Sequence, residues 1–145
     1  MRISDILRVK GQEVVTVTPD ANVERLLAVL AEHKVGAVVV SGDGVAVDGI
    51  VSERDVVRAL AARGAGVLAE PVSEIHTTSV FTVTPDNDLA DIERLMTERR
   101  FRHVPVVVDG ALHGIVSIGD VVKNRIDELE TERSTLAHYI TGERA

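Results

Sequence analysis

The sequence predicts an α+β fold: two β-α-β-β-α repeats related by a pseudo-twofold axis, with a helix appended at the C-terminus. Three observations carry the prediction. VVTVTPDANVERLLAVLAEHKVGAVVV recurs as VFTVTPDNDLADIERLMTERRFRHVPVVV, with Thr16–Asp20 falling on Thr82–Asp86 at an offset of 66. DGIVSERDVV recurs as HGIVSIGDVV, with Gly49–Ser52 falling on Gly114–Ser117 at an offset of 65. From Val122 onward the apolar residues keep a helical rhythm instead of repeating again. Self-similarity of this kind marks a duplicated supersecondary unit. The first repeat spans 1–68, the second 69–125, and 126–145 form a helical extension.

Each element follows from its residues. Ile3-Ser4-Asp5-Ile6 resembles Val72-Ser73-Glu74-Ile75 and opens each copy with a short lead-in helix. Val14–Val17 and Val80–Val83 are rich in β-branched residues and read as short strands. Pro19 and Pro85 cannot donate to a ladder and end them. Asn22 and Asp88 suit helix N-caps, because their side-chain oxygens accept the free N–H groups of a first turn. Val23, Leu26, Leu27 and Leu30 then lie on one helical face, as do Leu89, Ile92, Leu95 and Met96. AVVV and VPVVV are apolar runs too short for helices and read as strands buried on both faces. SGDG and DG carry hairpin chemistry, GIVS is the closing strand, and Ser52 and Ser117 cap the helices that follow. A three-stranded sheet this small leaves one apolar face bare, so the two units pack face to face.

Composition narrows the function. The chain is 45% hydrophobic but only 2% aromatic, so its core is built from Val, Leu, Ile and Ala. It has no cysteine, which removes disulfides, thiolate nucleophiles and zinc ribbons. The net charge of -7 argues against nucleic acid, which demands a basic stripe. The one dense cationic run, ERRFRH at 98–103, is long enough to meet a single phosphate group. No apolar run reaches a membrane span and MRISDILRVKGQE lacks a secretory core, so the expected location is the cytoplasm. His33, His76, His103, His113 and His138 show no metal-ligand spacing. There is no GxSxG, HExxH or P-loop lysine, and no catalytic residue is assigned.

The doubled G-h-h-S-x-x-D-h-h corner, the T-V-x-P-D strand exit and RHVPVV together resemble a tandem cystathionine-β-synthase-type (CBS) domain pair, or Bateman module. The resemblance covers essentially all of residues 1–125, and the closing SIGDVVKNRIDELETERSTLAHYITG is similar to stand-alone single-module members. It implies adenosine-containing ligands held in clefts between the repeats, with no chemistry performed. The EIHT lead-in departs from the usual EIMT pattern by placing His76 at an apolar position.

The residues themselves suit such a ligand. Ser52 and Asp55, like Ser117 and Asp120, sit three apart at a helix start and so share one face of its first turn. An ionised aspartate only accepts hydrogen bonds and can take both hydroxyls of a ribose. The serine and the free N–H groups beside it can receive a ribose or phosphate oxygen. The plainer reading is that each Ser–Asp pair merely caps a helix and favours its positive end.

The resemblance further implies that each corner is completed by the helix-to-strand turn of the other repeat. For Ser52, Arg54 and Asp55 that turn is Arg102-His103, with Arg100 near, and the adenine walls are Ile50, Val80, Phe81 and Pro105. For Ser117 and Asp120 the turn is Gly36-Ala37, and the walls are Ile115, Val14, Val15 and Val39. Arginine presents a planar fork to phosphate, whereas Gly36-Ala37 offers no charge. The first corner is therefore expected to be the better phosphate site. His103 reads equally as a phosphate neighbour and as a half-buried strand histidine.

In the tail, Val122, Ile126, Leu129, Leu136 and Ile140, with Arg133 in the gap, keep a 4-3-4-3-4 spacing. That narrow seam, flanked by Glu128, Glu130, Glu132 and Arg125, suits a second helix and points to a homodimer. The expected function is a non-catalytic sensor of an adenine nucleotide that signals to an effector protein. AMP is the first candidate, with ATP, ADP, NAD(H) and S-adenosylmethionine behind it. The alternative is a structural or dimerisation module whose corners hold nothing.

Overall fold

The lead-in segments cross over: each packs on the repeat to which it does not belong in sequence. A computed structural model describes residues 1–11 and 13–141. Helix α1 (Ile3–Lys10) places Ile3, Ile6 and Leu7 in the core of the second repeat, beside Val104, Val106 and Val116. One turn of 3-10 helix, Val72–Glu74, places Val72 and Ile75 in the core of the first, beside Val17, Val38 and Val51. The second lead-in is thus a shorter, tighter helix than its counterpart.

Between these crossings the first repeat runs β1 (Thr16–Val17), α2 (Val23–His33), β2 (Ala37–Val40), β3 (Gly49–Ser52) and α3 (Glu53–Arg63). Its sheet has the order β1-β2-β3, with β1 parallel and β3 antiparallel to β2. The second repeat runs α4 (Leu89–Arg99), β4 (His103–Val108), β5 (Ala111–Ser117) and α5 (Ile118–Thr141). Here β4 and β5 pair antiparallel, and the expected strand at 80–83 is reduced to one parallel bridge between Val83 and Val106. Val83 N–H donates to Pro105 at 3.0 Å, and its carbonyl accepts from Val107 at 2.8 Å. Val80 and Phe81 leave the ladder for a cavity wall.

The caps explain why the helices begin where they do. Asn22 Oδ1 accepts from Arg25 N–H at 2.8 Å and Asp88 Oδ1 from Ala90 N–H at 3.2 Å, each satisfying a donor that the helix itself leaves open. Both α2 and α4 end on a non-glycine residue in the left-handed region, Lys34 (φ 54°) and Arg100 (φ 60°). Such a residue is strained by about 1–2 kcal/mol relative to glycine.

Two glycines make the crossings possible. A Cβ on Gly49 would lie 2.8 Å from the Thr77 carbonyl oxygen, and one on Gly114 would lie 2.7 Å from Leu7 Cδ2. Over Gly49, Ile50 and Thr77 exchange N–H···O bonds of 3.0 and 2.9 Å, which adds the second lead-in to the edge of β3. Along β2, Val38 and Val40 face the helices of their own repeat, whereas Ala37 and Val39 are buried on the opposite face. Beside this strand the two repeats touch: a Cβ on Gly36 would lie 4.0 Å from the His103 ring, and Leu112 N–H donates to the Val45 carbonyl at 2.7 Å.

The first turns of α5 pack on the second repeat, but the rest of it projects. Ile126, Leu129, Leu136 and Ile140 are about half to four-fifths exposed. No described helix is long and apolar enough to cross a membrane.

Candidate functional site

The strand-to-helix corner at Ser52 is a reciprocal cap. Ser52 Oγ accepts from Asp55 N–H at 3.3 Å, while Asp55 Oδ2 accepts from Ser52 N–H at 2.8 Å and from its hydroxyl at 3.1 Å. The bonds fix the carboxylate at the mouth of α3, where the helix start favours its charge.

This corner opens on a cavity of about 320 Å³, in the range that holds small ligands. Ile50, Ser52, Arg54 and Asp55 line it from the first repeat, and Arg100, Arg102 and His103 from the second. Val80 and Phe81 supply an apolar wall, on which Phe81 stacks against Phe101 with ring centroids 5.3 Å apart. These are the only two phenylalanines of the chain. Among the described residues, none of the cavity's four arginines (Arg54, Arg58, Arg100 and Arg102) forms an ion pair. In a chain of net charge -7 that is a concentrated cationic site.

The structure also places in this cavity residues that the pattern did not assign to it. Gly36 and Ala37, grouped by sequence with the second corner, line the first cavity. The reason is geometric: Ala37 pairs with Ser52 across β2 and β3, and Glu53 N–H donates to the Gly36 carbonyl at 2.9 Å. Pro105 does not line it; the ring is buried in β4 opposite Ile115. Arg58, Glu53, Phe101, Thr77 and Ser79 were not foreseen there. Arg58 was readable, one helical turn beyond Arg54. Thr77 and Ser79 arrive through the crossing of the second lead-in, which no local pattern announces.

The second group does not gather in this way. Ser117 and Asp120 repeat the reciprocal cap, with bonds of 2.9 and 3.1 Å. Val39 is fully buried in β2, Val15 packs on the first core, Val14 and Ile115 are half-buried, and Gly36 and Ala37 belong to the first cavity. Asp120 instead meets Lys10, whose ammonium lies 2.6 Å from Oδ2 and also donates to the Ile115 carbonyl at 2.8 Å. Burial opposes ionisation of Asp120, but the Lys10 and Ser117 hydrogen bonds outweigh it and hold the carboxyl below its ordinary value.

His103 stands between the two corners. Burial lowers its pKa, and the positive charges of Lys10 and Arg102 act the same way, against Asp120 and Glu53. The ring is therefore biased to its neutral form. No group of His, Asp or Glu able to hold a metal ion occurs among the described residues.

The fold is shared with known proteins. The CBS domain profile matches residues 3–62 and 72–127. The crystal structure of the CBS-domain protein ATU1752 from Agrobacterium tumefaciens superposes with a TM-score of 0.83 at 45% identity, covering 86% of this chain and 99% of that one. The mitochondrial CBS-domain-containing protein CBSX3 of Arabidopsis thaliana is 36% identical over 97% of this chain and 72% of its own length. The CBS-domain protein PAE2072 of Pyrobaculum aerophilum, solved in complex with AMP, superposes with a TM-score of 0.73 at 29% identity, over 83% and 89% of the two chains.

Proposed function

This chain belongs to the CBS domain family, and from that premise we propose that it is a non-catalytic regulatory module binding an adenine nucleotide, AMP first, in the cleft at Ser52 and Asp55. The observation that carries the reading is the content of one cavity. An acceptor-only carboxylate, unpaired guanidiniums from both repeats and a stacked aromatic wall converge on a single space. In it Asp55 takes the ribose hydroxyls, Arg102 and Arg100 take the phosphate, and the Phe81 face with Ile50 and Val80 encloses the base. A crystal structure of PAE2072, a relative at 29% identity, contains AMP.

Because the cleft draws residues from both repeats, a bound nucleotide bridges them. A ligand shifts a conformation only through its differential affinity for two states. The angle between the repeats is the element that an interrepeat ligand biases. The exposed apolar row of α5 then suits a homodimer contact, through which occupancy passes to an effector protein.

A second reading, a scaffold that dimerises without ligand, draws on the same exposed row and on an Asp120 already satisfied by Lys10. Calorimetric titration of AMP into the purified chain separates the two. The sensor reading expects saturable binding that Asp55→Ala removes. The scaffold reading expects no heat and no melting shift with AMP, ADP, ATP, NAD(H) or S-adenosylmethionine.

A further inference from the structure

The two corners have the same capping residues but differ in what reaches their carboxylates. Asp55 Oδ2 accepts only from Ser52, through N–H and hydroxyl, among the described residues. Asp120 Oδ2 accepts from Ser117 N–H and, at 2.6 Å, from the ammonium of Lys10. We infer that Lys10 holds the second corner closed by competing with a ribose for Asp120, so that the two corners take the same nucleotide with unequal affinity. The inference rests on the nucleotide reading of the first cleft.

Lys10 is held by the packing of its helix and by two hydrogen bonds. It ends α1, which is fixed to the second repeat by Leu7 against Gly114 and by Ile3 N–H donating to the Asn87 carbonyl at 3.0 Å. The second bond of Lys10, to the Ile115 carbonyl, anchors its ammonium on the strand that leads into the corner. Carried at the offset of 69 that relates the two lead-ins, Lys10 falls on Ser79. Ser79 lines the open first cavity and carries no charge to pair with a carboxylate. Electrostatics point the same way. The space beside Lys10 and Asp120 is also lined by Asp5, Asp127 and Lys123, so three carboxylates stand there against two ammoniums. No guanidinium lines that space, against four in the first cavity.

The test uses AMP as the probe and the full chain carrying Asp55→Ala, which silences the first cleft. In that background AMP is titrated with Lys10 intact, with Lys10→Met and with Lys10→Ser. Removing the ammonium is expected to tighten binding at the second corner by up to about fivefold, since an ion pair this exposed is worth at most about 1 kcal/mol. Circular dichroism and melting show whether each variant is folded, and the serine variant stands in if the methionine one is not. Equal or weaker binding in the folded Lys10 variants overturns the inference, weaker binding marking Lys10 as a phosphate ligand. The nucleotide reading is judged separately, by AMP binding to the unsubstituted chain. If that fails while Asp55→Ala with Lys10→Met binds, the first-cleft reading falls and the role of Lys10 stands.

Discussion

Lys10 and Asp120, 110 positions apart in the chain, form a 2.6 Å hydrogen-bonded ion pair that ties the end of the first helix to the start of the last. The side chains remain a third and a quarter exposed, so solvent screens the attraction. Lys10→Met is therefore expected to lower stability by no more than about 1 kcal/mol. In a chain of this size that moves the melting temperature by about 2–4 °C. A fall several times larger would show that the pair holds the crossing of α1 in place.

Removal of the phosphate fork is expected to act on affinity alone. Arg102 is exposed and has no ion-pair partner among the described residues, so Arg102→Ala leaves the melting temperature within a degree or two of its starting value. Losing a charge-assisted bond worth about 1.5–3 kcal/mol weakens AMP about 10- to 150-fold by calorimetry. Adenosine, which has no phosphate, is expected to bind both proteins alike.

Arg100 separates stability from binding more sharply. It occupies a left-handed conformation (φ 60°) at the end of α4 and also lines the cavity. Arg100→Gly relieves that strain and leaves the chain as stable as before or up to about 1 kcal/mol more stable. AMP affinity falls nonetheless. Chemical denaturation and calorimetry on the same sample read the two opposite signs.

Gly49→Ala puts a methyl group 2.8 Å from the Thr77 carbonyl and 3.2 Å from the His76 ring. The linker must then move off the edge of β3, breaking the paired Ile50–Thr77 hydrogen bonds. A loss of about 1–3 kcal/mol is expected, with weaker AMP binding because Thr77 and Ser79 line the cleft. Unchanged stability in this variant would mean that the crossing yields freely.

His103 makes stability depend on pH. Its folded pKa lies below the ordinary value of 6.5, chiefly through burial. As pH drops through 6.5 the unfolded chain takes up a proton that the folded one refuses, so stability declines from there down through the lowered pKa. Above that range the contribution is flat. Asp120, held below 3.8, adds a separate loss only in stronger acid, as its paired carboxylate is protonated. Melting temperatures between about pH 7.5 and 5.5 are expected to fall, and His103→Gln to flatten that slope.

The duplication, the caps at Asn22, Asp88, Ser52 and Ser117, and the paired strands were readable because each rests on short-range chemistry within a few positions of sequence. It was the family resemblance, not local chemistry, that set Arg102 and His103 opposite Asp55, and the fold lines one cavity with all three. The crossing of the lead-ins was not readable, since nothing in Ile3–Lys10 or Val72–Glu74 says which core it will join. From that one topological fact follow the positions of Thr77, Ser79 and Lys10. Val80 and Phe81 resemble a strand by composition but join none, because the bridge at Val83 is all that β4 accepts. The seam of α5 extends to Ile140, and residues 142–145 lie outside the described chain.

The account turns on whether the cleft between Asp55 and the second repeat's arginines takes a nucleotide. Isothermal titration of AMP into the unsubstituted chain, repeated with Asp55→Ala and with Arg102→Ala, tests it most directly. The account predicts saturable binding that both substitutions weaken at least about tenfold. Binding indifferent to both substitutions, or no binding by AMP or any other adenosine compound, would contradict it.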